Sequence, residues 1–224
     1  MIAQSVKKSD VIETLMMMLR ERDCITYQHS LRVAFIAEMI AEKVNSRGDF
    51  IEKIKMAALL HDIGKVGISD TILNKPGKLN RKEIKRIQSH PEIGYRILQK
   101  TTIFEDVSFA ALYHHERFDG QGYPEGLKGE EIPLEARIIA VADAFDAIVS
   151  DRPYRKGLTY TQAFEEINQH VQSQFCPRVV NILNQLRTIL PDKLDQIKLE
   201  KLSAACTDFA AVDHEEIIHS RKAI

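Results

Sequence analysis

Leu59-Leu60-His61-Asp62-Ile63-Gly64-Lys65-Val66-Gly67-Ile68 is the stretch on which the fold turns. A histidine, an aspartate and a lysine stand inside a run that is otherwise apolar or glycine. Ala57-Ala58-Leu59-Leu60 reads as the end of a buried helix, and Gly64 is expected to supply the left-handed residue that caps it. His61 and Asp62 then lie where a helix meets the core. An unpartnered carboxylate there costs several kcal/mol, so Asp62 needs a cation. Two are available: a divalent metal, or Lys65 in a local ion pair while His61 caps a carbonyl. The stretch alone leaves both open.

The surrounding pattern is helical. Asp10 is a plausible N-cap for a helix over 10–22, with Val11, Ile12, Leu15, Met16 and Leu19 on one face. Leu31, Phe35, Ile36, Met39 and Ile40 recur at spacings of three and four over 27–45, which places His29 in the first turn of that helix. A third helix runs over 50–63. Asn74-Lys75-Pro76-Gly77-Lys78 is a turn by composition, and Asn80 with Glu83 forms a capping-box pattern for the next helix. Pro91 suits the start of a further helix. Residues 106–116 follow, ending on His114-His115-Glu116. Four of the ten glycines fall in Phe118–Gly129, which implies tight turns or close backbone approach. Residues 134–150 are the most apolar helix, yet they carry Asp143 and Asp146. Helices over 159–172 and 177–190 complete the pattern, and 195–224 reads as a helical or partly disordered tail. No strand alternation stands out, so the fold class is all-α.

Bulk composition narrows the function. Lys plus Arg total 31 and Asp plus Glu 32, so nothing attracts a nucleic-acid polymer or an anionic membrane in general, and any anion site must be built locally. A 44% hydrophobic and 28% charged chain is that of an ordinary soluble protein, and no window reaches the length of a membrane span. Without an apolar leader at the N-terminus, a cytoplasmic location is expected. Cys24, Cys176 and Cys206 are widely separated, which suggests reduced thiols.

Five of the eight histidines, His29, His61, His90, His114 and His115, sit at helix starts, helix ends or beside turns. Together with Asp62 and Asp143 they form an imidazole-plus-carboxylate set of the kind that holds Fe, Mn or Zn. Seven donors exceed one mononuclear site. They suit two metals sharing a carboxylate, an arrangement used for displacement at phosphorus. The competing reading, separate core histidines and a stray ion pair, needs a buried partner for each one.

The ordered motifs resemble those of a known family. His61-Asp62-Ile63-Gly64-Lys65 is similar to the signature of the HD-domain phosphohydrolases. His114-His115-Glu116-Arg117-Phe118-Asp119-Gly120-Gln121-Gly122-Tyr123-Pro124 resembles that of their HD-GYP branch, the cyclic di-GMP phosphodiesterases. Lys75-Pro76-Gly77-Lys78-Leu79, His90-Pro91, Pro133 to Ile138 and Val141 to Ala147 match in order and spacing. The resemblance covers about 25–190, leaving 1–24 as an N-terminal helical extension and 191–224 as the tail, and it implies an HD-domain helical bundle with a Gly-rich GYP loop.

What the resemblance implies is specific. His29, His61, Asp62 and Asp143 would hold one metal; Asp62, His90, His114 and His115 would hold the second. A hydroxide bridging the metals would attack phosphorus, converting cyclic di-GMP to pGpG or on to GMP. Asp62 and Lys65 would be catalytic. Lys65, Tyr123, Asp146, Arg152 and Arg155 would contact substrate. The two arginines have a competing role in capping the Asp143 helix, and Asp146 another in orienting a ligand histidine or Lys65. Iron or manganese is the first choice of metal, with zinc as the alternative. The alternative functions are a binding module for cyclic di-GMP or a protein partner, and a phosphohydrolase of another nucleotide.

Two departures stand out. Some relatives carry a Glu four residues before the first ligand His; Ile25 stands there, so two metals are expected, not three. Cys176 replaces the more usual Asp after Phe175, a poorer N-cap by about 1 kcal/mol. Only about 25 residues precede the matching region, where the family often has a sensory or receiver domain. The chain therefore reads as stand-alone or as a fragment of something longer. Its Met16-Met17-Met18 run is expected to pack on the domain or on a second subunit of a homodimer.

Overall fold

The computed structural model describes residues 7–151 and 156–197. Every regular element among them is helical: α1 (Lys8–Arg22), α2 (Cys24–Val44), α3 (Gly48–Leu60), α4 (Asp70–Leu73), α5 (Arg81–Ile87), α6 (His90–Leu98), α7 (Glu105–Tyr113), α8 (Leu134–Val149), α9 (Tyr160–Gln169), α10 (Pro177–Gln185) and α11 (Leu190–Ile197). Short 3-10 turns cover Ile63–Gly67, Thr102–Phe104 and Gly129–Glu131. A lone bridge joins Val171 and Phe175. No described helix is long and apolar enough to cross a membrane.

Local chemistry sets the boundaries. Asp23 caps α2 by accepting from the Ile25 and Thr26 amides at 3.0 and 3.2 Å and from the Thr26 hydroxyl at 2.6 Å. The helix therefore begins at Cys24, three residues before the periodicity suggests, and His29 lies in its second turn rather than its first. Asn80 and Glu83 form the expected capping box on α5, and Thr159 and Gln162 form another on α9. Residues 177–190 are not one helix; α10 ends at Gln185 and α11 begins at Leu190.

The core is built on α2 and α8. Val33, Ile36, Ala37, Ile40 and Ala41 from α2 meet Ile138, Ile139, Val141, Ala142 and Phe145 from α8, all fully buried. α2 packs between α3 and α8, while α7 packs against α3, α6 and α8. Met16 and Leu19 of α1 and Leu190 and Leu194 of α11 enter the same cluster, so both ends of the described chain share one core. Within the Met run, Met16 is buried and Met18 exposed. Arg22, at the end of α1, donates to the Ile68 carbonyl and pairs with Asp70 at 3.1 Å, tying α1 to the segment after the HD stretch.

One expectation is corrected here. Gly64 is not a left-handed cap: its φ is not among the positive values, and α3 has already ended at Leu60. Glycine is required for space instead. A Cβ at position 64 would lie 1.9 Å from the His90 carbonyl oxygen and 2.5 Å from the Gly94 amide nitrogen, because the 63–67 turn presses directly on α6. Cys176 is free and buried.

Cys176 is the N-cap of α10 and makes no side-chain cap bond. Arg137 places Nη1 3.5 Å from its sulfur, and Arg137 Nε is buried without a partner. Cys176→Asp should therefore gain a cap and a counter-charge, worth about 1 kcal/mol, and raise Tm by roughly 2–4 °C in thermal unfolding. Gly64→Ala should cost about 3 kcal/mol by overpacking backbone against backbone, read as a lower midpoint in urea.

Candidate metal centre

Five helices deliver the candidate donors to one point. His29 comes from α2, His61 and Asp62 from the end of α3, His90 from the start of α6, His114 and His115 from the end of α7, and Asp143 from α8. Their donor atoms fall into three overlapping groups, each within 4.8 Å: His29, His61 and Asp143; His61, Asp62 and His114; His90, His114 and His115. Asp62 lies at the centre, only 2% exposed. Its Oδ1 is 3.1 Å from His90 Nε2 and 4.0 Å from His114 Nε2; its Oδ2 is 2.5 Å from Lys65 Nζ, 3.4 Å from His61 Nε2 and 3.9 Å from His29 Nε2.

Three of these histidines are oriented by one local device. His61 Nδ1 lies 2.6 Å from the Ala58 carbonyl, His90 Nδ1 2.7 Å from that of Ile87, and His114 Nδ1 2.8 Å from that of Ala111. In each case the acceptor is three residues back, at a helix end whose last carbonyls lack intrahelical partners. A carbonyl can only accept, so each Nδ1 carries a proton, and in the neutral ring each Nε2 presents a lone pair inward.

That tautomer tests whether the site fits a metal. His90 Nε2 and His114 Nε2 are 3.3 Å apart, lone pair toward lone pair. His61 Nε2 is buried with no hydrogen-bond partner and faces the Asp62 carboxylate. Burial, followed by the neighbouring imidazoles, holds the His114 pKa well below its ordinary value, and burial holds that of His115 down at about 4. Neutral lone pairs crowded around a carboxylate, out of water, are what a divalent cation stabilises, and neutral imidazole with carboxylate suits Fe, Mn and Zn. The donor set fits.

His29 is held differently. Its Nδ1 is 2.7 Å from Asp146 Oδ2, and its Nε2 is 3.0 Å from Asp143 Oδ1. Burial opposes charge on this ring, but hydrogen bonds to the two carboxylates outweigh it and raise the pKa to about 9. Asp146 is in turn gripped by Arg32 through Nε at 2.6 Å and Nη2 at 2.9 Å. With 1% exposure and both oxygens engaged, Asp146 is placed to orient His29, at the wall of the cavity described next. Arg32 escaped the sequence reading because a lone arginine on an amphipathic helix resembles any solvated charge.

Five of the donors, His29, Asp62, His90, His115 and Asp143, line a cavity of about 550 Å³, shared with Lys65, Lys75, Tyr123, Ile25 and Asp151. Burial would discharge Lys65, but the Asp62 charge outweighs it and raises its pKa. Tyr123 stacks on His115 with ring centroids 4.9 Å apart. Its pKa is pushed up by burial and then by the Asp62 and Asp143 charges, so the phenol stays neutral. Glu116, also missed in sequence, is 3% exposed and accepts from the Glu125 and Gly126 amides at 2.7 and 2.9 Å. Arg152 and Arg155 lie outside the described residues.

Comparison with known proteins follows from this geometry. The family model for the HD domain matches residues 13–179. The chain belongs to the HD domain family. It is 42% identical over 196 residues to a protein of Thermotoga maritima named a cyclic di-GMP phosphodiesterase, covering 87% of this chain and 53% of that one. It is 40% identical over 173 residues to a Vibrio cholerae protein named a 3′3′-cGAMP-specific phosphodiesterase, covering 77% and 37%. This HD-domain chain thus spans about half or less of the length of these relatives. Among solved structures, a cyclic GMP-AMP-specific phosphodiesterase of Vibrio cholerae superposes with a TM-score of 0.64 at 19% identity, over 88% of this chain and 53% of that one. That likeness shows the helical fold.

Removing the Asp146 carboxylate should loosen His29 and leave Arg32 without its counter-charge. Asp146→Asn is expected to weaken metal affinity by about 10–100-fold and to cost about 3 kcal/mol of stability. Metal titration at a temperature where the variant is folded, with thermal unfolding alongside, checks both.

Proposed function

We propose that this chain is a metal-dependent phosphodiesterase of cyclic dinucleotides, acting on cyclic di-GMP to give pGpG or GMP. The observation that carries the reading is the convergence of five imidazoles and two carboxylates in overlapping donor groups around buried Asp62. Relatives near 40% identity named as phosphodiesterases of cyclic dinucleotides support it.

His29, His61, Asp62 and Asp143 would hold one divalent ion, and Asp62, His90, His114 and His115 a second, with Asp62 shared. Ions bound there supply a lowered water pKa and neutralise charge at phosphorus. Iron or manganese is the first expectation. The remaining residues position the substrate. Lys65, kept as an ammonium beside Asp62, offers a point charge to a phosphoryl oxygen or to the departing 3′ oxygen. Tyr123 offers a neutral aromatic face at the cavity wall. Arg152 and Arg155, which follow α8 in sequence, are assigned to guanine or phosphate, where a planar donor fork suits both.

Protein purified without oxygen should carry about two metal ions per chain and release pGpG from cyclic di-GMP, with 3′3′-cGAMP as the comparison substrate. Asp62→Ala should strip the metal and remove several kcal/mol of transition-state stabilisation, about a thousandfold in rate. Full metal content without product from either substrate would favour a binding module. Normal turnover by the variant would end the proposal.

A further inference from the structure

We infer that Glu116 is a positioning residue: a buried strut that sets the glycine loop, and with it Tyr123, over the candidate metal centre. The inference rests on the reading above that Tyr123 packs against the substrate.

The loop is held in two halves by different means. Its base is fastened to the α9–α10 connection, where the Phe118 amide donates to the Gln174 carbonyl at 3.1 Å and the Asp119 amide to that of Ser173 at 2.7 Å. Arg117 clamps Asp119 with a paired contact. The tip, which carries Tyr123, is held to the end of α7. There the Tyr123 amide donates to the His115 carbonyl at 3.2 Å. A Cβ on Gly122 would lie 2.3 Å from the Arg117 amide nitrogen and 2.5 Å from Glu116 Cα, so the tip lies flat on residues 115–117.

Glu116 is the side chain that secures this tip. Its Oε1 accepts from two successive amides, Glu125 and Gly126, just past the Tyr123-Pro124 step. Residue 125 is thus gripped at its backbone by Glu116. Glu116 follows His115 directly, so the ring and the loop that stacks on it are set by neighbouring residues. Its other oxygen, Oε2, is buried with no partner. A carboxylate would not be kept at 3% exposure with an unmatched oxygen for packing alone, since that oxygen costs free energy wherever it lacks a donor. Its two amide bonds offset that cost by fixing the loop.

The test combines amide hydrogen exchange with kinetics on the whole chain. In Glu116→Ala the Glu125 and Gly126 amides should exchange like open loop, while α2 and α8 stay protected and metal content is unchanged. KM for the cyclic dinucleotide should rise about tenfold, the scale of a lost charge-assisted hydrogen bond, with a much smaller change in kcat. Glu116→Gln keeps an oxygen for both amides and should restore protection and most of the KM. In a Tyr123→Ala background, Glu116→Ala should add nothing further. Unchanged exchange in Glu116→Ala, additive KM effects, or a Gln variant as impaired as Ala would overturn the inference. A wild-type chain that hydrolyses no cyclic dinucleotide would remove the functional reading, and the exchange measurements would still decide whether the strut exists.

Discussion

Asp62 is a carboxylate sealed from water among imidazoles, and the rest of the structure is arranged to make that tolerable. Burial raises the cost of its charge, and the positive charge of Lys65 outweighs it, holding the pKa well below the usual carboxylate range. A cation beside it is a condition of folding as well as of chemistry. Lys65, three residues on, satisfies that condition within one turn of chain. The histidines add nothing to it while neutral. They become useful to Asp62 only when a further cation draws their lone pairs inward.

The bundle geometry follows from the need to surround one point from five sides. α2 and α8 give the rigid middle, and each contributes a donor from a position facing the cavity. The others come from helix ends, where the chain can turn a side chain inward without breaking a run of hydrogen bonds. Gly64 belongs to the same constraint. The 63–67 turn must lie against α6 to bring Asp62 within reach of His90, and only a residue without a side chain permits that approach.

The metal-donor set was readable from sequence because an imidazole at a helix terminus beside an apolar run has few ordinary explanations, and five such cases are hard to treat separately. Most helices were readable from their periodicity. What stayed hidden depends on distant segments. Asp23 starts α2 early through its side chain, which apolar spacing does not register. Gly64 was read as a demand of its own backbone, when the demand came from α6. Arg32 and Glu116 carry ordinary surface charges in sequence, and only the fold shows them enclosed, one against Asp146 and one against a loop ten residues on. Sequence allows Asp146 to contact substrate or to orient a neighbour, and its bonds to His29 and Arg32 are of the orienting kind.

The carbonyl clamps on His61, His90 and His114 also bear on how this centre tolerates sequence drift. Main-chain oxygens are present whatever residue occupies a position, so no single replacement at Ala58, Ile87 or Ala111 deletes the group that aims the ring. His29 alone among the four clamped rings is aimed by side chains, through Asp146 and Arg32. Genetic fragility is therefore uneven across the centre. Three rings inherit their aim from helix geometry and can persist through extensive divergence, while the fourth depends on two further codons and is the corner where loss of function can begin.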